Sequence, residues 1–179
     1  MRLRRIVSRL DSDDFALFGL PRCFQLDRGD LDARRRSLQA EVHPDRFASA
    51  DASARRVAMQ WAARVNEAYS RLKNPPLRAA YLCELHGVPI DAENNTAMPA
   101  DFLMQQMEWR ESLDEADGRG AVEALLAALE AHRAAAYRRL HVLLDESRDF
   151  AAAAHEVRAL MFVERFAADV DDRLATFEA

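Results

Sequence analysis

Apolar residues recur every three or four positions along most of the chain and nowhere alternate with polar ones, so the pattern predicts helices and no strand. The clearest stretch runs from about 51 to 72, where Ala54, Ala58, Trp61, Val65, Ala68 and Leu72 stand at steps of 4, 3, 4, 3 and 4. That spacing keeps all six on one helical face. Asn74-Pro75-Pro76 is expected to stop this helix. Upstream, Asp13 to Leu20 reads as a short helix closed by Gly19 and Pro21, with its acids at the positive end of the helix dipole. Asp30 is the expected N-cap of a second helix reaching about Val42, with Leu31, Leu38 and Val42 on one face, and Pro44 ends it. Leu77 to His86 supplies a further helical turn or two, and the Pro-, Asn- and Asp-rich stretch from Gly87 to Pro99 predicts a loop.

Three more helices are predicted at about 99–117, 119–146 and 149–177. Asp117 to Gly120 separates the first two, and Ser147 to Asp149 the last two. The second of these carries Val122, Leu125, Leu126, Leu129, Ala136, Leu140 and Leu143 on one face. The third carries Leu160, Val163, Phe166, Val170, Leu174 and Phe177. Short connections between long amphipathic helices imply antiparallel neighbours, hence a three-helix bundle. The expected organisation is all-α, with modules at 1–85 and 98–179 joined by a linker at 86–97.

Composition agrees with helices: half the 179 residues are hydrophobic, yet Gly is only 5 and Pro only 6. The net charge of -5 conceals a division, because residues 1–80 hold 16 Lys+Arg against 10 Asp+Glu while residues 81–179 hold 9 against 20. Two modules facing different partners would produce such a split. The basic half lacks the aromatic interleaving of a nucleic-acid reader, so no nucleic-acid partner is expected. No apolar run is long enough to span a membrane. Cys23 and Cys83 stand alone, which suits reduced thiols and gives no zinc spacing. Four arginines without an acid occupy the first ten residues, but that stretch runs straight into the first helix pattern, so an untargeted cytoplasmic protein is expected.

One tripeptide stands out between the second and third helices. His43-Pro44-Asp45 is on one reading a proline stop with an aspartate cap. On the other it is a recognition loop, offering an imidazole and a carboxylate beside a rigid proline. Arg34, Arg35 and Arg36 precede it, and Asn66-Glu67-Ala68-Tyr69 and Asn74-Pro75-Pro76-Leu77-Arg78 follow. These pieces in this order resemble a J-domain over roughly residues 13–80. Phe18-Gly19-Leu20-Pro21, Phe24-Gln25-Leu26-Asp27, His43 to Ala48, Arg78 to Leu82 and Leu85-His86-Gly87 narrow the resemblance to the HscB family, J-type co-chaperones of iron–sulfur cluster assembly. The resemblance implies an N-terminal J-domain joined to a C-terminal bundle that holds an IscU-type scaffold protein. It further implies that His43, Pro44 and Asp45, steered by Arg34, Arg35, Arg36 and Arg46, dock on an ATP-driven chaperone of the HscA/DnaK type and stimulate its ATPase. Arg46 stands where the family usually has Lys, and Arg35 where a large apolar residue is expected on the inner face of its helix.

The helix from Asp101 has two faces that need separate explanations. At about 100° per residue Phe102, Trp109, Leu113 and Ala116 share a stripe and should be core. Opposite lie Leu103, Met104, Met107, Glu108, Glu111 and Glu115. Either the last helix covers the three apolar residues, or they form a docking patch that is apolar at one end and acidic at the other. Phe162, off the core stripe of the last helix, stands where it would join that patch. The HscB resemblance implies the docking reading, with all seven residues on the scaffold-binding face. Met107 there replaces a more usual Leu.

An enzyme is the first alternative. His132, His141 and His155 have no H-E-x-x-H spacing, and neither a phosphate loop nor a nucleophile elbow is present, so no catalysis, metal or cofactor is expected. The second alternative is a J-domain co-chaperone serving a different client protein.

Overall fold

The computed structural model describes residues 11–41, 52–91 and 98–177, and every regular element among them is helical. The chain divides into two compact units, Met1–Tyr81 and Leu82–Ala179.

In the first unit α1 (Asp14–Phe18) starts on Asp13, whose carboxylate accepts the Ala16 N–H at 2.9 Å. It ends at Gly19 with φ 64°, a left-handed turn that favours glycine. Phe15, Leu17 and Phe18 are buried. Helix α2 (Arg28–Glu41) buries Leu31 and Leu38, while Val42 lies outside the described residues. Its cap differs from expectation. The Asp27 carboxylate accepts the Asp30 N–H at 2.6 Å, so the helix starts three residues earlier and Asp30 sits in the first turn. Helix α3 (Ala52–Lys73) buries Ala58, Trp61, Val65, Ala68, Tyr69 and Leu72, the predicted stripe with Tyr69 added. Its Trp61 indole donates to the Leu38 carbonyl at 3.4 Å, across to α2.

The double proline begins a helix rather than only ending one. The Asn74 side chain accepts the Leu77 N–H at 3.0 Å, and α4 (Pro75–Leu85) follows. Proline is well placed in a first turn, where its missing N–H has no helical partner to lose. That gives eleven helical residues where one or two turns were expected. The first unit also buries charge. Asp14, with no exposed surface, lies 2.6 Å from Arg64 and 2.8 Å from Arg71. Arg78 donates to the Phe24 carbonyl at 2.7 Å and to the Leu72 carbonyl.

The second unit begins within α4, upstream of the expected linker at 86–97. Leu82, Cys83 and Ile90 are buried, His86 stacks on Phe150 at 3.8 Å, and Arg158 donates to the Ile90 carbonyl at 2.9 Å. Within 86–91 Ile90 is buried and Val88 half-buried, while the other four residues are exposed, and 92–97 lie outside the described residues. Helices α5 (Ala100–Asp114), α6 (Arg119–His141) and α7 (Phe150–Ala175) form the rest of the unit. Trp109, Ala116, Val122, Leu125, Leu129, Val163, Phe166 and Val170 make its core, with Phe102, Leu113 and Phe162 packed at the edge. The single helix expected over 119–146 instead widens into a π-helical turn at Val142–Glu146. Ser147 closes it, its amide donating to the Val142 carbonyl at 2.9 Å, five residues back. Arg148 then turns the chain at φ 54°, and Asp149 caps α7.

Candidate functional site

His43, Pro44, Asp45 and Arg46 lie outside the described residues. The arginines before them do not form one free surface. Arg34 is engaged by Asp30 at 2.9 Å and by the Phe18 and Gly19 carbonyls at 3.0 and 2.9 Å, fastening α1 to α2. Arg35 lays its guanidinium over the Tyr69 ring at 4.1 Å and donates to Asn66 Oδ1 at 3.2 Å. An arginine thus does what a large apolar residue was expected to do: it packs against α3, by a cation–π contact. Arg36 is the exposed member of the trio.

In the second unit α5 presents the two faces its sequence implied. Trp109 is 6% exposed, whereas Leu103, Met104 and Met107 are 46%, 63% and 71% exposed. No described helix covers the patch, which removes the reading in which the last helix shields it. Leu103 and Met107 are neighbours one turn apart, as are Met104 and Glu108. Glu108, Glu111 and Glu115 are exposed and have no ion pair with any cation among the described residues. Glu111 lies in the last turn of α5 and Glu115 is its C-cap. Carboxylates there face the negative end of the helix dipole, which disfavours them. Glu108 accepts from the Gln105 side chain at 3.0 Å, whereas Glu111 and Glu115 have no side-chain partner among the described residues, so their placement costs the helix without an offsetting contact there.

Phe162 is brought to the same edge, but it is half-buried rather than open. Its ring meets Phe102 edge-on at 6.0 Å and stacks on Phe166 at 6.1 Å. Arg110, one turn beyond Met107, covers it at 5.5 Å. Phe162 is therefore packed at the edge of the core, with Arg110 of α5 lying over its ring. Nothing in the α5 periodicity pointed to Arg110, because its ring partner lies on another helix. Periodicity likewise gave no signal for His132. Its ring fits edge-on to Trp109 at 5.0 Å and near Phe102 at 5.9 Å, inside the joint between α5 and α6. Burial, reinforced by the charge of Arg139, holds its pKa below the ordinary 6.5.

Among the described residues no group of three His, Cys, Asp or Glu side chains is placed to hold a metal ion. A cleft of about 670 Å³ opens beside Phe102 and His132, and several of its polar walls are already engaged. Arg139 pairs with Glu156 at 2.6 Å, and His155 accepts from Arg158 at 2.8 Å. Cys83 is buried with its thiol pushed up to about 11, far from a reactive thiolate. No described helix is long and apolar enough to cross a membrane.

Comparison with known proteins places these features. A sequence model described as the HSCB C-terminal oligomerisation domain matches residues 98–171. A co-chaperone protein HscB homolog of Burkholderia multivorans is 52% identical over 176 residues, covering 97% of this chain and 99% of that protein. One of Bordetella petrii is 53% identical over 159 residues, covering 88% and 94%. The solved structure of chaperone HscB from Vibrio cholerae matches with a TM-score of 0.80 at 36% identity, covering 92% of this chain and 99% of that one. Human co-chaperone HscB matches with a TM-score of 0.86 at 26% identity, covering 91% and 82%. With an all-helical architecture, a near full-length sequence match and a C-terminal bundle that carries the family's own domain signature, the chain belongs to the HscB family of co-chaperones.

Proposed function

We propose that this protein stimulates the ATPase of an HscA/DnaK-type chaperone through His43-Pro44-Asp45, and delivers an IscU-type scaffold protein to it during iron–sulfur cluster assembly. The observation that carries the delivery half is the outer face of α5: Leu103, Met104 and Met107 exposed beside Glu108, Glu111 and Glu115, none of them needed by the core. A partner with an apolar surface bordered by basic residues would cover the apolar groups and neutralise carboxylates that the helix dipole disfavours. Phe162 would contribute the edge of its ring. In the J-type unit Arg36 and Arg46 would remain to steer the encounter, since Arg34 and Arg35 are occupied in the fold. The expected modules remain a J-domain over 1–85 and a scaffold-binding bundle over 98–179, acting in the cytoplasm without a cofactor and without catalysis of their own. The ATP hydrolysed is the chaperone's.

Steady-state ATPase of the chaperone, with and without this protein and the scaffold, tests both halves. Together the two should stimulate more than the sum of their separate effects, and simple additivity would sink the delivery reading. His43→Gln should abolish stimulation and keep scaffold binding. Leu103→Ala/Met107→Ala should do the reverse; Phe162 is left in place because its ring supports the core.

A further inference from the structure

We infer that Met104 and Met107 form an oxidation-sensitive element within the α5 docking face, by which peroxide lowers the affinity for the scaffold. The inference rests on the docking reading above and adds a regulation to it.

The chain has six methionines. Exposure separates those that the structure describes: Met104 and Met107 at 63% and 71% and Met59 at 73%, with Met161 less open at 46%. Met98 is half-buried, and its thioether accepts a hydrogen bond from Gln106 at 3.1 Å. Met104 and Met107 are three residues apart on one helix, so their side chains are neighbours on a single surface. Met59 is on α3, in the other unit. Leucine at either α5 position would be equally apolar and chemically inert; methionine supplies the same contact with a sulfur that can be oxidised.

The chemistry needs only the oxidant. A thioether lone pair attacks one oxygen of hydrogen peroxide, the O–O bond breaks, and the transferred hydroxyl passes its proton to the departing hydroxide. The products are one sulfoxide and one water: sulfur is oxidised by two electrons and the peroxide is reduced. The sulfoxide is strongly polar and only accepts hydrogen bonds. On the free protein it is solvated and costs the fold nothing, because neither side chain is in the core. In the docked state it would lie buried in an apolar contact, and its oxygen would add acceptor character to a face that already carries three carboxylates.

The test uses the full chain. Protein is exposed to hydrogen peroxide, the peroxide is removed, oxygen uptake at each methionine is mapped by peptide mass spectrometry, and binding to an IscU-type scaffold is measured. Met104, Met107 and Met59 should gain oxygen before Met98. Helical circular dichroism should be unchanged, and scaffold affinity should fall at least about tenfold. Met104→Leu/Met107→Leu, compared only with itself before and after peroxide, should show no loss, whereas Met59→Leu should lose affinity as the unsubstituted protein does. Equal affinity of oxidised and reduced protein overturns the inference and leaves the docking reading standing. So does a peroxide-induced loss in the double leucine variant, or loss of helix on oxidation. Failure of the reduced protein to bind the scaffold at all overturns both.

Discussion

The two units are stabilised by different physics. In the first, charge is drawn into the structure: Asp14 is fully buried between Arg64 and Arg71, Arg78 is tied to two carbonyls, and Tyr69 lies beneath Arg35 with its hydroxyl bonded to Asp32 at 2.7 Å. In the second the joints are aromatic. Phe102, Phe162, Phe166 and Trp109 form a run of ring contacts 6.0 to 6.4 Å between centroids, with Arg158 the one buried charge of the unit among the described residues, while the glutamates of α5 stay exposed. The first unit spends Arg34, Arg35, Arg64, Arg71 and Arg78 internally, whereas the second, held at this joint by rings, leaves Glu108, Glu111 and Glu115 without an ion pair among the described residues. The location of exposed charge, rather than its amount, separates the structural residues from the candidates for binding.

The largest effects come from breaking each kind of joint. Asp14→Ala leaves two arginines without their buried partner, and loss of one member of such a group costs about 3–5 kcal/mol. Phe166→Ala opens a cavity in the aromatic run, at a similar cost of about 3–5 kcal/mol. The chain has two tryptophans, Trp61 in the first unit and Trp109 in the second, so fluorotryptophan labels give one NMR resonance per unit. In urea, Asp14→Ala should lower the midpoint of the Trp61 resonance most, and Phe166→Ala that of Trp109. If the two substitutions shift both resonances alike, the difference between the units is not energetic.

Acid should separate the units by a smaller amount. In the unfolded chain His132 takes a proton near its ordinary 6.5, whereas in the fold burial and Arg139 resist it. The unfolded state therefore binds more protons below 6.5. The stabilisation is complete above that pH and declines as the pH falls towards the depressed folded value. Asp32 in the first unit behaves differently. The Tyr69 hydrogen bond holds its pKa below 3.8, so its contribution persists above 3.8 and is lost only at lower pH. Between pH 7.5 and 5 the Trp109 midpoint should fall while that of Trp61 is steadier. His132→Gln should flatten the Trp109 dependence; an unchanged slope would assign it to other groups.

Legibility in the sequence followed the same physical division. The α3 stripe and the core side of α5 could be read because apolar spacing alone decides them. The outer face of α5 was legible for the opposite reason, since Leu103, Met104 and Met107 violate the polar rule for a surface stripe. What escaped depended on a partner from another element. Arg34 and Arg35 read as residues that steer docking until the Phe18 and Gly19 carbonyls and the Tyr69 ring were located. Phe162 read as available until Phe102 and Arg110 were found against it. Local chemistry was misread where one residue type serves two roles. Pro75 and Pro76 can stop one helix and begin another, and Asp27 and Asp30 are equally good caps by composition.

The finest contrast is between a polar link across two helices and one within a single helix. Tyr69→Phe keeps the ring under Arg35 but removes the hydroxyl that donates to Asp32 and accepts from Arg28 at 3.0 Å. It should cost about 0.5–1.5 kcal/mol, because these hydrogen bonds join α2 to α3 and ordered groups lose them together. Arg119 bonds Glu123 at 2.7 Å within α6, with both side chains 52% exposed. Water competes for that pair, its basic member comes first in the less favourable order, and Arg119 opens the helix at the positive end of its dipole. Arg119→Ala should therefore change stability by no more than about 0.3 kcal/mol. The Trp61 and Trp109 midpoints measure the two changes side by side. Equal losses would mean that span between helices adds nothing, and the first unit's internal charges would then need a reason other than holding its hairpin together.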